Sequence, residues 1–301
     1  MANPQVPPNQ RSNLETRFEW SALPHGTTQK QWSRIQSAAL TFVSDSERKV
    51  SHSTLKKHIA HRFKTTDRVA QKIISHLVAN GKLSYTYEFG NSFLEGSFHR
   101  PLRVGTRIYL LPPGWKKPIP EDGVPLRVQP GAAFGCGRHP TTRLSLRGIE
   151  TLLLDNREWC RASNKTQALD IGTGSGILAI AALRLGIDRA IGIDRDACAR
   201  AEAAKNAALN NLGSRFEIIE KPLHHLHPTE PFNLIMANLR YPTLLSLRNT
   251  VVNLLASDGA LVLSGVKRDE QTGFLSAYSD SGFKCCWSDK DKDWVGMVLR
   301  R

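Results

Sequence analysis

Apolar positions along this chain follow two different periods, and the change between them marks its organisation. From Gln29 onward Trp32, Ile35, Ala39 and Phe42 recur at helical spacing, which places them on one face. Leu55, Ile59 and Phe63 do the same over Ser53–Phe63, and Val69, Ile73, Ile74 and Leu77 over Asp67–Asn80. The polar turn Lys64-Thr65-Thr66 between these two helices supplies an N-cap, and Gly81 is placed to stop the second. Leu83, Tyr85, Tyr87 and Phe89 then alternate with polar residues, the pattern of a half-buried strand. Gly90-Asn91-Ser92 predicts a turn, and a further strand over Arg107–Leu111 ends at Pro112-Pro113-Gly114.

Beyond Lys116–Asp122, which reads as a linker, short apolar strands alternate with helical segments. Strands are predicted at Gln167–Ile171, Ala190–Asp194, Phe216–Glu220, Phe232–Ala237 and Ala260–Ser264, and helices at Ser175–Leu185 and Asp196–Leu212. Such alternation implies a parallel sheet with helices on both faces. Phe283–Ser288 and Trp294–Arg300 have only the turn Asp289–Asp293 between them, so they should pair antiparallel. The fold class expected is therefore α/β: a doubly wound, mostly parallel seven-stranded sheet with a C-terminal antiparallel hairpin, preceded by a small α+β domain. Residues 1–27, rich in Pro, Asn, Gln and Ser, read as a flexible tail, 28–115 as the small domain and 116–301 as the α/β domain.

Charge sharpens this division. The chain of 301 residues carries a net +14, of which residues 1–120 hold +11 and residues 121–301 hold +3. An asymmetry of that size points the N-terminal part toward a polyanion, with a solvated basic surface as the plain alternative. Its three helices followed by a β-ribbon resemble a winged helix-turn-helix domain. That resemblance puts Arg68, Gln71, Lys72 and Ser75 on the exposed face of a recognition helix and makes nucleic acid a candidate partner. A scaffold or protein-docking module has the same outline.

No apolar run approaches the about 18–20 residues needed to span a bilayer, so no membrane partner is expected. The first residues show no basic segment leading into an apolar stretch. Five cysteines, at 136, 160, 198, 285 and 286, include no CxxC pair, which argues against a disulfide framework or a zinc site and fits a cytoplasmic protein. His224-His225-Leu226-His227 reads as a solvated loop, and no metal is expected.

The strongest local chemistry lies at Ala168-Leu169-Asp170-Ile171-Gly172-Thr173-Gly174-Ser175-Gly176, where an apolar strand runs through a glycine turn into a helix. Glycines permit positive φ and close approach of a ligand to the backbone. The spacing is GxGxG and not the GxGxxG of dinucleotide sites, which favours a ligand without phosphates, such as S-adenosylmethionine. Asp194, closing the next strand 22 residues after Gly172, is placed to accept hydrogen bonds from both ribose hydroxyls. Gly172, Gly174 and Gly176 are the expected contacts in the turn. Asp170 either touches the ligand or orders the loop.

Two further segments narrow the reading. Residues 130–142, Pro-Gly-Ala-Ala-Phe-Gly-Cys-Gly-Arg-His-Pro-Thr-Thr, resemble the PG-x-AFGTG-x-HPTT signature of the PrmA-type ribosomal-protein methyltransferases. Asn233-Leu234-Ile235-Met236-Ala237-Asn238-Leu239 resembles the D-x-x-x-AN-I/L segment after that family's fourth strand, and Leu263-Ser264-Gly265 and Trp294-Val295-Gly296 also match. The resemblance covers about residues 126–301. It implies a class I methyltransferase fold, S-adenosylmethionine as cofactor, and methylation of amino groups on a protein of the large ribosomal subunit. It carries cofactor contacts onto Thr142, Gly172, Asp194 and Asn238. The chain departs from the family at Cys136, which stands for a Thr, at Leu239-Arg240-Tyr241-Pro242 after Asn238, and throughout the N-terminal part, which does not resemble the family's ferredoxin-like domain.

Methyl transfer requires a neutral nucleophile held in line with the sulfonium. Asn238 can accept a hydrogen bond from an amine N–H through its side-chain carbonyl and is the expected catalytic residue. Residues Phe134–Thr142 are expected to close over the cofactor, with His139 ordering that loop. Two other functions fit parts of the sequence. Asn238-Leu239-Arg240-Tyr241 has the Asn-x-x-Tyr outline used by base amino-methyltransferases, in which the ring stacks on a flipped base. A winged-helix regulator that senses S-adenosylmethionine would need only the cofactor pocket.

Overall fold

The first helix starts where the sequence supplies a reciprocal cap. Thr28 Oγ1 accepts the Gln31 N–H, while the Gln31 side chain accepts the Thr28 N–H at 3.0 Å, and α1 runs Gln29–Asp45. This is a computed structural model that describes residues 28–46, 49–88, 91–96, 101–129, 131, 133–135, 137, 139–155 and 165–301. The tail expected over 1–27 lies outside them, as do Gly90 and Cys136. Ser51 caps α2 (His52–Phe63), which Lys64 ends in the left-handed region, and Thr66 caps α3 (Asp67–Ala79). Strands β1 (Val50–Ser51), β2 (Leu83–Glu88) and β3 (Asn91–Gly96) form an antiparallel sheet in the order β1-β3-β2. Trp32, Ile35, Leu55, Ile59, Ile73, Ile74 and Leu77 close with Leu83 and Leu94 into one core. Asn91 and Ser92, expected in a turn, belong to β3, because pairing Leu94 with Tyr85 buries Leu94 and sets the register back to Asn91 opposite Glu88.

By its contacts the chain divides into residues up to Ser97 and residues from Phe98 onward, so the strand at Ile108–Leu111 packs within the second unit. There β4 (Leu102–Arg103), β5 (Ile108–Leu111) and β6 (Val124–Arg127) make a small sheet in that order, with β5 and β6 parallel. Helix α4 (Pro140–Glu150) follows, extended by one wider π turn over Thr151–Asp155. The large sheet is then built from β7 (Gln167–Ile171), β8 (Arg189–Ile193), β9 (Phe216–Ile219), β10 (Phe232–Asn238), β11 (Leu255–Lys267), β12 (Lys284–Asp291) and β13 (Trp294–Arg300). Helices α5 (Ile177–Arg184), α6 (Ala197–Leu209), α7 (Tyr241–Leu254) and α8 (Gln271–Ser279) connect them. The strand order is β12-β13-β11-β10-β7-β8-β9. β13 is antiparallel to both neighbours and the remaining pairs are parallel. The doubly wound sheet and its closing hairpin are those the alternation of segments implies.

Period-two alternation divides the core between the two faces. Leu234 and Met236 of β10 and Ala260 and Val262 of β11 pack with Ile149, Ile180 and Ala203. Ile235, Ala237, Leu261 and Leu263 pack with Leu244, Val251, Phe274 and Tyr278. Among the described residues no helix is long and apolar enough to cross a membrane.

One buried carboxylate attaches the small sheet to this frame. Glu150, at the end of α4, accepts the backbone N–H groups of Thr106 at 2.7 Å, Arg107 at 2.6 Å and Ile108 at 2.9 Å. Gly105 is required beside it, since a Cβ there would collide with the Glu150 carboxylate. Glu150→Ala strands these donors, each costing about 1–3 kcal/mol when buried, so a loss of about 3 kcal/mol or more is expected. Urea unfolding checks this, and a loss below 1 kcal/mol would show that the three bonds are replaceable by water.

Candidate functional site

The carboxyl end of β7 lies where the strand order changes direction, the usual position of a ligand crevice in a doubly wound sheet. The chain leaves β7 through Gly172 (φ 68°), Gly174 (φ 54°) and Gly176 (φ 79°), a run of left-handed backbone only glycine adopts without strain. Space demands glycine as well. A Cβ on Gly172 would lie 2.8 Å from the Leu239 side chain, and one on Gly174 would strike the Phe134 carbonyl oxygen. The Ile193 carbonyl accepts the N–H groups of Gly172 (2.9 Å) and Thr173 (3.0 Å), tying the turn to the end of β8.

Two carboxylates stand at this turn. Asp170 is buried, and its Oδ2 accepts the Thr173 hydroxyl at 2.7 Å and the Ala179 N–H at 3.3 Å. Its Oδ1 is buried without a hydrogen-bond partner. Burial pushes its carboxyl up to about 6, against the opposing pull of the Thr173 and Ala179 bonds and with a further small rise from the Asp194 charge. Asp194, directly after β8, accepts the Gly174 N–H at 2.9 Å and the Asp196 N–H at 3.0 Å. Gly172 and Asp194 line a cavity of about 570 Å³ with Ile193, Pro222, Leu223 and Leu239. Pro222 and Leu223 follow β9 and carry no motif, so sequence reasoning missed them.

The segment ahead of α4 lies on the same turn. The Phe134 carbonyl accepts the Ser175 N–H at 2.8 Å, and the Ser175 hydroxyl donates to the Gly135 carbonyl at 2.8 Å. Helix α6 and the residue after it hold this segment through side chains four residues apart. Asn210 accepts the Arg127 N–H at 2.9 Å and donates to the Arg127 carbonyl at 2.7 Å. Asn206 accepts the Gln129 N–H at 2.9 Å and donates to the Ser175 carbonyl at 2.9 Å. Both Glu202 oxygens accept the Ala133 N–H, at 3.1 and 3.2 Å. Glu202, Asn206 and Asn210 were also missed, although polar residues at i, i+4 and i+8 along an alanine-rich helix are a readable signal.

Thr142 and Asn238 are brought together at the neighbouring strand end. Thr142 is buried in the first turn of α4, and Asn238 closes β10, with its Nδ2 donating to Thr142 Oγ1 across a long 3.5 Å. His139 is the N-cap of α4, its Nδ1 accepting the Thr141 N–H at 3.3 Å. Its ring lies edge-on to Phe134 (5.2 Å) and Trp294 (5.5 Å), and the Arg240 guanidinium lies 5.2 Å from the Trp294 ring centre. Tyr241 starts α7, ahead of Pro242, with its ring 6.1 Å from that of Phe274 on α8.

Two measurements check this arrangement. Between pH 3.8, the ordinary Asp value, and about 6, the folded chain binds more protons at Asp170 than the unfolded chain does. Stability therefore falls as pH rises through that window and stays reduced above it, by an amount on the order of 2–3 kcal/mol. Asp170→Asn should remove the fall. If wild type and variant lose stability equally between pH 4 and 7, Asp170 titrates normally. Separately, Asn206→Ala should speed amide exchange at Gln129 by tenfold or more while leaving β10 protected, and unchanged exchange would assign the hold on this segment elsewhere.

The profile of the family described as ribosomal protein L11 methyltransferase (PrmA) matches residues 89–301. The ribosomal protein L11 methyltransferase of Pelobacter propionicus is 37% identical over 203 residues, covering 67% of this chain and 63% of the relative. That of Geobacter sulfurreducens is 36% identical over 201 residues, covering 66% and 62%. The matched part of the chain thus spans just under two thirds of the length of these curated relatives. Among solved structures, the ribosomal protein L11 methylase of Lactobacillus delbrueckii subsp. bulgaricus is 29% identical with a TM-score of 0.57, covering 67% of this chain and 98% of that one. With most of its length matched by this profile and its α/β unit similar to these proteins, the chain belongs to the ribosomal protein L11 methyltransferase (PrmA) family.

Proposed function

We propose that this protein is a cytoplasmic S-adenosylmethionine-dependent methyltransferase acting on amino groups, of lysine or of an N-terminus, in a ribosomal protein. The observation that carries the reading is the meeting of three parts at the carboxyl ends of β7, β8 and β10: the glycine turn, the Asp194 carboxylate, and the Asn238–Thr142 pair. The fit to the cofactor is supported by the cavity beside Gly172 and Asp194, whose volume suits a ligand of nucleoside size, and by the unpartnered Asp170 Oδ1 buried next to the turn.

When bound, the cofactor supplies an electrophilic methyl group on a sulfonium. Asp194 keeps lone pairs beyond those given to Gly174 and Asp196, and these would hold the ribose hydroxyls. Gly172, which lines the cavity, would let the ligand lie against the backbone, Gly174 and Gly176 would shape the turn behind it, and Thr142 and Asp170 would flank it. The amide nitrogen of Asn238 is turned to Thr142, which leaves its carbonyl oxygen to accept an N–H of the incoming amine and so direct the nitrogen lone pair. An α-amine, with a free pKa of about 7.7–8.0, is more readily neutral than lysine at about 10.4, and desolvation lowers both. Phe134 and Gly135, held on Ser175 by two hydrogen bonds, cover Gly174 through the Phe134 carbonyl.

A base-methyltransferase reading would need the Tyr241 ring as a stacking platform, whereas that ring packs toward Phe274. The order α1-β1-α2-α3-β2-β3 of the N-terminal unit supports its reading as a winged helix, and the cations between residues 52 and 82 support a nucleic-acid contact.

Asp194→Ala is expected to weaken S-adenosylmethionine binding by about 10–100-fold, the worth of a charged acceptor to two hydroxyls, as read by calorimetry. Unchanged affinity in a folded variant removes Asp194 from the site. Asn238→Ala should lower turnover far more than cofactor affinity. Tritiated-methyl transfer into a lysate, followed by separate protease and nuclease digestion, tests the acceptor class. Label released only by protease is expected, and label released by nuclease would replace a protein acceptor with a nucleic acid.

A further inference from the structure

Helix α3 buries Val69, Ala70, Ile73, Ile74 and Leu77 and leaves Arg68, Gln71, Lys72 and Ser75 exposed, a single stripe at spacings of three and four. Between residues 52 and 82 the chain carries seven Lys or Arg and one acid, Asp67, which pairs with Lys56 at 2.9 Å. The stripe is therefore cationic, and at its centre the fold holds one carboxamide. His52 Nε2 lies 2.6 Å from Gln71 Oε1, and His52 Nδ1 lies 2.6 Å from the Tyr85 hydroxyl. A carboxamide oxygen can only accept, so His52 Nε2 donates to it, and Nδ1 shares the second hydrogen bond with the Tyr85 hydroxyl. The His52 and Tyr85 rings are nearly parallel, 7° apart. This relay joins the first residue of α2, the middle of α3 and β2. It leaves Gln71 with an amide donor and one further lone pair on its oxygen, the complement that pairs in bidentate fashion with adenine N7 and N6.

We infer that the α3 face of the N-terminal unit docks in the major groove of B-form duplex DNA, with Gln71, held by the Tyr85–His52 relay, contacting a base edge. Seven cations against one acid between residues 52 and 82 call for a polyanion. The shape of an exposed helical stripe selects among polyanions, because the roughly 12 Å major groove of B-form DNA admits a helix while the deep, narrow major groove of A-form RNA does not. The relay adds base recognition to phosphate attraction, since a side chain fixed before binding loses less freedom on docking. This inference rests on the reading of the N-terminal unit as a nucleic-acid contact.

The test uses the full chain with three labelled probes: a pool of random-sequence DNA duplexes, an RNA hairpin and heparin. Binding to DNA at about 50 mM salt, with selection enriching adenine-containing sites, is expected. Arg68→Gln and Lys72→Gln should each lower the slope of log affinity against log salt by about 0.9. Gln71→Ala should weaken binding to the selected duplex by about 5–100-fold and leave that slope unchanged. His52→Phe should give part of the same loss, and thermal melting confirms that each variant is folded. Equal affinity for RNA and DNA, with Gln71→Ala neutral, overturns the inference while leaving the polyanion contact in place. Failure of all three probes to bind at 50 mM salt overturns both.

Discussion

Everything at the candidate site depends on forcing the backbone into the left-handed region as it leaves β7. A chain that emerges from a parallel strand must reverse into a helix, and the glycine turn from Gly172 to Gly176 does so, with Gly172 lining the cavity. Such a turn has little intrinsic reason to hold its shape. Here the Ile193 carbonyl takes two of its N–H groups, Asp194 takes the Gly174 N–H, and buried Asp170 takes the Thr173 hydroxyl. The price is a carboxyl kept where its charged form is disfavoured, the kind of local conflict that accumulates at functional sites.

The remaining supports solve one problem repeatedly: backbone N–H groups that no strand partner accepts need a side-chain acceptor. At residues 106–108 the Glu150 carboxylate stands in for a strand edge. At Arg127, Gln129 and Ala133 the side chains of Asn210, Asn206 and Glu202 do the same. Asn206 has a second consequence, because its amide also reaches the Ser175 carbonyl. The segment leading to Phe134 and the glycine turn are thus held by one side chain, which couples the entry of the site to the surface on which the cofactor is proposed to lie.

What the sequence disclosed follows from how local each cause is. Leu234-Ile235-Met236-Ala237 could be read as a strand because a strand buried on both faces is apolar throughout. The glycine turn, Asp194 and Asn238 could be read because strand, turn and terminal polar residue adjoin in the chain. The small sheet was harder. Leu102–Arg103 is only two residues long, and its attachment runs through Glu150, more than forty residues away from the backbone it holds. Pro222 and Leu223 reach the cavity only through the parallel order of β8 and β9, which no spacing reveals. At Asn91 a turn-forming residue was absorbed into a strand, because burying Leu94 fixed the register more strongly than local turn preference.

The unit up to Ser97 carries a net +6 and the unit from Phe98 onward a net +8, so what distinguishes the smaller unit is the local concentration of cations between residues 52 and 82. In the α/β unit cations meet acids: Arg143 and Arg147 pair with Asp291, and Arg200 pairs with Glu220. Between residues 52 and 82 the sequence carries seven Lys or Arg against the single acid Asp67, which pairs with Lys56. Folding alone does not require this, since the unit's core of Trp32, Leu55, Ile73 and Leu77 is complete without any of those cations. Like charges held on one small unit repel, a cost that a polyanion would remove on binding. The matched family span begins only at residue 89, so this basic unit lies almost wholly outside what relates the chain to its relatives. The catalytic proposal and the nucleic-acid proposal therefore stand on separate residues, and the failure of one leaves the physical grounds of the other intact.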